Sequence, residues 1–142
     1  FIHFDNEQKQ IEALLRLVKD NLGRNIGILL PNNPEVIRIS QEFKDNDVEC
    51  EFKYNKGEND FDYVDNLDFN TMLPKILTYH SAKGLQFDMV ILPLYNGASD
   101  DESRKALYVA MTRTMHSLYV LYSTQTLLPP LDRVPTHLYL KE

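Results

Sequence analysis

Cysteine occurs once in this chain, as Cys50. A lone thiol cannot build an internal disulfide framework, and it excludes a cysteine-rich zinc site. No apolar run approaches ~18 residues, so no stretch reads as a membrane-spanning helix. No charged-then-apolar leader opens the chain. Its natural compartment is therefore expected to be the cytoplasm. The first residue is Phe1, which reads as the start of a piece of a longer or processed protein. Positive charge is also scarce, with 15 Lys and Arg against 21 Asp and Glu and a net charge of −6. A stand-alone nucleic-acid binder is usually basic, because neutralised phosphates supply much of its affinity. This chain alone is thus a poor tight binder of nucleic acid, although a few local cations can serve a shared groove.

Several catalytic motifs are absent too. There is no G-x-S-x-G elbow. His80 and Ser81 are adjacent, and on an extended backbone adjacent side chains point to opposite faces, so they cannot form a local dyad. Neither G-x-x-x-x-G-K-[ST] nor G-x-G-x-x-G occurs. The chain therefore lacks the main phosphate cradle and cannot be a complete P-loop ATPase. No internal repeat is visible. What remains is 142 residues, 43% hydrophobic and 25% charged, enough for one compact domain with a real core.

The stretch from Lys75 to Tyr122 organises the rest. Ile76–Tyr79 and Met89–Leu92 are short apolar runs of the kind that form buried parallel strands. Between them lies the small, polar loop His80-Ser81-Ala82-Lys83-Gly84. A helical segment follows, ending near Met111-Thr112-Arg113, and then a third apolar strand, Leu118–Tyr122. Such a unit places polar loops at the carboxyl ends of parallel strands, where open α/β sheets bind ligands.

The preceding half fits the same scheme. Ile2 and Phe4 alternate with His3 and Asp5, as in a strand. Ile11, Leu14, Leu15, Val18 and Leu22 form one helical stripe, with Asn6 as N-cap and Gly23 as terminator. Ile26–Leu30 reads as a central strand. Asn32-Asn33-Pro34 opens a second helix reaching about Asp45, with Val36, Ile39, Ser40 and Phe43 inward. Asp47–Tyr54 alternates as a half-buried strand with Glu49, Glu51 and Lys53 outward. Residues 55–74 form an acidic connection carrying Glu58, Asp60, Asp62, Asp65 and Asp68 among Phe61, Tyr63, Leu67 and Phe69. Val64 and the absence of a following glycine break the calcium-loop pattern, so a solvated connection with a few aromatics packed down is expected. Ser99-Asp100-Asp101-Glu102 has the form of a capping box. Residues 124–142 hold Pro129, Pro130 and Pro135 and read as an extended tail.

Arg113 lies near a helix end, just before a strand. Its planar, charged guanidinium suits a phosphate at a domain boundary, where an arginine from outside the cradle can stabilise a transferring phosphoryl group. Taken alone it reads first as a surface cation favoured by the helix dipole. His80 and Lys83, taken singly, are ordinary loop residues.

Together these residues carry a resemblance. ILTYHSAKGLQFDMV, residues 76–90, closely resembles motif V of UvrD/Rep-type superfamily 1 helicases, roughly T-x-H-x-x-K-G-L-E-[FW]-x-x-V. LYVAMTR, residues 107–113, resembles motif VI, approximately L-x-Y-V-A-x-T-R-A. Order and spacing agree, and residues 25–32 resemble the strand carrying motif IV. The resemblance covers about Ile2 to Ser123. It implies an α/β fold, RecA-like, with a mostly parallel sheet and helices on both faces. Residues 1–123 would be the second RecA-like helicase domain and residues 124–142 a Pro-containing tail.

The implied role is the domain that completes the ATPase of an ATP-dependent DNA helicase or translocase. Arg113 would reach the γ-phosphate as the catalytic arginine. Gly84 and Gln86 would approach the nucleotide, and Thr78, His80 and Lys83 would face single-stranded DNA. ATP and Mg2+ would bind in the parent protein, with Mg2+ held by a first RecA-like domain, the expected intramolecular partner. The isolated chain is expected to hold no metal and to turn over no ATP. Gln86 replaces the usual glutamate, and Thr114 the alanine after the arginine. Leu30-Pro31 stands where motif IV commonly carries a Tyr-Arg pair, which implies a missing second γ-phosphate arginine, with Arg38 as a conceivable substitute. Two other classes stay open. One is a helicase-like nucleotide switch without unwinding. The other is an interaction module built on the acidic connection and the tail.

Overall fold

The computed structural model describes residues 1–55 and 63–140. Its strands are β1 (Ile2–His3), β2 (Ile26–Leu30), β3 (Glu51–Asn55), β4 (Tyr63–Asp65), β5 (Lys75–Thr78), β6 (Phe87–Leu92) and β7 (Thr114–Tyr122). Its helices are α1 (Glu7–Asp20), α2 (Asn33–Asp45) and α3 (Asp101–Met111). The strands form one sheet in the order β1-β7-β6-β2-β5-β3-β4. Six are parallel, and β4 alone joins antiparallel, on β3. This is the RecA-like α/β arrangement expected from the sequence.

Strand periodicity sorts the core into two layers. Ile26, Ile28 and Leu30 of β2 point to one face with Ile76, Met89, Ile91 and Leu121. The helical stripes of α1 (Ile11, Leu14, Leu15, Val18) and α2 (Val36, Ile39, Phe43) cover that face. Leu29, Leu77, Val90, Leu92, Val120 and Tyr122 point to the other, under Ala106, Leu107 and Ala110 of α3. Gly27 lies on this second face. A Cβ there would stand 2.6 Å from the Phe87 ring, so the close approach of ring to backbone requires glycine.

The helix starts follow capping chemistry. Asn6 and Asn32 accept from the amides of Lys9 and Glu35, and Pro34 sits in the first turn of α2. At α3 the cap is Asp100 and not Ser99. Its carboxylate accepts from the Ser103 amide at 2.7 Å and from the Ser103 hydroxyl at 3.0 Å, which holds its pKa below the usual value. The two carboxylate oxygens take one bond each.

Other expectations are corrected. Leu22 falls beyond the end of α1 and is 65% exposed. β3 begins only at Glu51, and β4 takes the edge beside it. Glu51 is buried, not solvent-facing, because it pairs with the buried Lys75 at 3.4 Å. The acidic connection thus contributes β4 and a return segment over Glu51, while Glu58, Asp60, Phe61 and Asp62 lie outside the described residues. In the tail, Leu127 and Leu131 are buried on the α3 side of the sheet. The Tyr95 hydroxyl donates toward the carbonyls of Leu128 and Pro129, and Tyr139 stacks on Phe1 with centroids 4.3 Å apart.

Candidate functional site at the two ends of one loop

The segment of residues 79–86 leaves β5 at its carboxyl end and delivers the chain to the amino end of β6. β5 and β6 flank β2 on either side. A crossover between parallel strands usually takes a dozen or more residues and a helix. Here eight suffice, because the segment turns tightly: the amides of Ala82, Lys83 and Leu85 bond the carbonyls of Thr78, His80 and Ala82. Ala82 is buried against the sheet. One short loop therefore reaches both ends of the sheet, and the six expected site residues divide between them.

Thr78 and His80 lie at the carboxyl end. Thr78 is 7% exposed, and its hydroxyl is engaged within the loop, donating to Ser81 Oγ at 3.0 Å and accepting from the Ser81 amide at 3.1 Å. Its role in this structure is to shape the turn. His80 and Lys83 are exposed and line a groove of about 470 Å³ between the loop and α3. Asp101, Glu102 and Lys105 line the other wall, so the groove carries both signs of charge. Burial, with the nearby Tyr95, pushes the phenol of Tyr79, which also lines the groove, well above its usual pKa.

Gly84, Gln86 and Arg113 lie at the amino end. The expectation that the polar loop from His80 to Gly84 lies at the carboxyl ends is therefore corrected for Gly84. The loop has already crossed the sheet by Gly84, and Arg113 follows a helix that runs back the same way. The Phe87 amide donates to the Arg113 carbonyl at 2.8 Å, which joins the two strand starts. Asn25 fixes the loop exit: its side-chain amide donates to the Gln86 carbonyl at 3.2 Å and its backbone amide to Asp88 Oδ2 at 3.2 Å. Gly84 has φ +83, and a Cβ built on it would meet nothing within 4 Å. Its glycine answers a left-handed backbone and leaves open space for a close ligand. Arg113 is half-buried, with Nε donating to the Val109 carbonyl at 3.1 Å and Nη2 to Thr112 Oγ1 at 3.1 Å. The guanidinium rests on the last turn of α3, where the helix dipole favours it.

Leu30-Pro31 lies at the opposite end from Arg113, at the head of β2. The pair that the resemblance aligned with a nucleotide contact thus stands at the carboxyl end of β2, away from Gly84, Gln86 and Arg113. Arg38 is at that far end too, bound to Glu7 at 2.9 Å and Glu35 at 3.5 Å, and it cannot substitute beside Arg113. These side chains line a cavity of about 420 Å³ with Asn32, Tyr95 and Ser123. Beneath it the buried Gln10 bridges the Leu94 amide and Ser123 Oγ at 2.8 and 2.7 Å. Among the described residues, no group of three His, Cys, Asp or Glu side chains could hold a metal ion. No described helix is long and apolar enough to cross a membrane.

Sequence reading missed the return segment before β5. Asp68, Thr71 and Leu73 are bonded into the Glu51–Lys75 pair, and Phe69 and Met72 line a small cavity with Gly84, Leu85 and Gln86. Phe69, expected to pack down, is instead 64% exposed, because Asp68 and Thr71 on either side are drawn to Glu51.

A parallel sheet covered on both faces, with a turn-rich loop and a helix-end arginine converging at its amino edge, defines a RecA-like α/β domain. Residues 75–121 match the model of the UvrD-like helicase C-terminal domain. The match spans β5 to β7 and holds all six expected site residues. Among solved structures, the chain is similar to the C-terminal domain of a possible DNA helicase from Lactobacillus plantarum WCFS1. That similarity has a TM-score of 0.72 at 21% identity and covers 99% of this chain and 82% of that one. No curated protein matches the chain.

Proposed function

We propose that this chain is the second RecA-like domain of an ATP-dependent superfamily 1 DNA helicase or translocase. The observation that carries the reading is the placement of Gly84, Gln86 and Arg113 at one end of the sheet and His80 at the other, on one short loop and the helix after it. A nucleotide held against a first domain would meet the amino end, and single-stranded DNA would meet the carboxyl end and the groove beside it.

The residues present fit a nucleoside triphosphate. Gly84 leaves room for close backbone approach, Gln86 offers an exposed amide, and Arg113 offers a cation. ATP with Mg2+ would supply the phosphoryl chemistry, with the metal held by the first domain. Arg113 would shift from the α3 carboxyl end toward the terminal phosphate and offset charge as it develops there. Gln86 would hydrogen-bond the sugar without the charge of a glutamate. His80 and Lys83 would contact the DNA backbone, with Thr78 holding the turn that presents them. The net charge of −6 means that DNA affinity would draw on the first domain as well. Because one loop touches both ligands, closure of the cleft would move the DNA contacts with it.

The test is ATP turnover by the full-length protein, with and without single-stranded DNA. Turnover should be stimulated by DNA and should fall by roughly 10³-fold or more in Arg113→Ala, the range for a phosphate-directed arginine. Turnover that survives the substitution intact would overturn this role.

A further inference from the structure

We propose that Phe69 and Met72 form the nucleobase subsite of the nucleotide site, a proposal that rests on the reading above. The two side chains are 64% and 51% exposed and sit three residues apart on the segment that leads into β5. They are not loose. Asp68 donates its amide to Glu51 Oε1 at 2.9 Å, and the Thr71 hydroxyl donates to Glu51 Oε2. Lys75 Nζ donates to the carbonyls of Thr71 and Leu73 at 3.2 and 3.3 Å. Phe69 is therefore pinned on both sides by a buried ion pair, and an apolar shelf is held out toward solvent.

The shelf has a definite neighbour. Phe69, Thr71, Met72 and Asn25 share a cavity of about 260 Å³ with Gly84 and Gln86. That is below the usual ~300–1,000 Å³ of a complete ligand pocket and suits one heterocycle. Position along the sheet agrees. The amino ends run Arg113 before β7, Gln86 before β6, Asn25 before β2, and Met72 before β5. Adjacent strands are ~4.8 Å apart, so Arg113 and the shelf are separated by about 14 Å. An extended nucleoside triphosphate spans such a distance, with phosphates at Arg113, sugar at Gln86 and base on Phe69. An aromatic face flanked by a thioether takes any flat base by stacking.

The experiment uses the full-length protein and calorimetric binding of two probes, ATP and ribose 5-triphosphate, which lacks the base. Wild type should bind ATP about tenfold or more tightly than the base-free probe, the scale of one base–aromatic contact. Phe69→Ala should erase that advantage while leaving ribose triphosphate binding unchanged, and Phe69→Trp should keep it. If the ATP advantage survives in Phe69→Ala and Met72→Ala, the subsite is wrong, while collapse of turnover in Arg113→Ala would leave the nucleotide reading standing. Equal weakening of both probes would mark Phe69 as a contact to the first domain and also overturn the subsite. A wild type that binds neither probe would sink the nucleotide reading and the subsite with it.

Discussion

Gly27 shows how a single residue sets the geometry of the site. The Phe87 ring lies across it and starts β6 directly after Gln86, so the packing of that ring decides where the loop exit sits. Gly27→Ala places a methyl at 2.6 Å from ring carbon, within the fully buried core. Overpacking of this kind typically costs ~1–3 kcal/mol. Chemical denaturation should show a loss in that range, and Phe87→Leu added to Gly27→Ala should recover part of it. A neutral Gly27→Ala would mean the ring moves freely. Gly84 is the opposite case: space is open around it and only its left-handed backbone demands glycine. Arg113 stood out through its motif as the residue expected to face a phosphate. That its guanidinium rests on Val109 and Thr112 was not legible, because a helix-end bond of this type leaves no pattern in the chain.

Among the elements, the helices were the most legible. Their apolar stripes, the Asn6 cap and Pro34 in the first turn of α2 are local features, and local features survive folding. The strand at β3 was misread for a nonlocal reason. Alternation alone sends Glu51 outward, but Lys75 of β5 sits opposite and Thr71 covers both. A buried charge is tolerated when paired and hydrogen-bonded, and that partner is remote in sequence. The same pair anchors the segment bearing Phe69. Glu51→Ala leaves Lys75 buried without its counter-charge, and removal of one partner from such a pair costs about 3–5 kcal/mol. The expected outcome is a clear drop in the unfolding midpoint. A drop no larger than that of an exposed pair such as Lys9–Asp5 would contradict it.

Taken whole, the molecule separates its two expected ligand ends by the height of the sheet and ties them with one loop. The parallel order could be anticipated from the strand–helix alternation. The division of the motif between the two ends could not, since nothing in residues 79–86 announces a crossover without a helix. The most direct measurement is a paired assay on the full-length protein: single-stranded DNA binding and basal ATP turnover in Arg113→Ala and in the double variant His80→Ala, Lys83→Ala. Arg113→Ala should lose turnover and keep DNA affinity, whereas the double variant should lose about tenfold in DNA affinity and keep basal turnover. Loss of both properties together in each variant, or of neither in either, would contradict a domain that serves two ligands from opposite ends of one sheet.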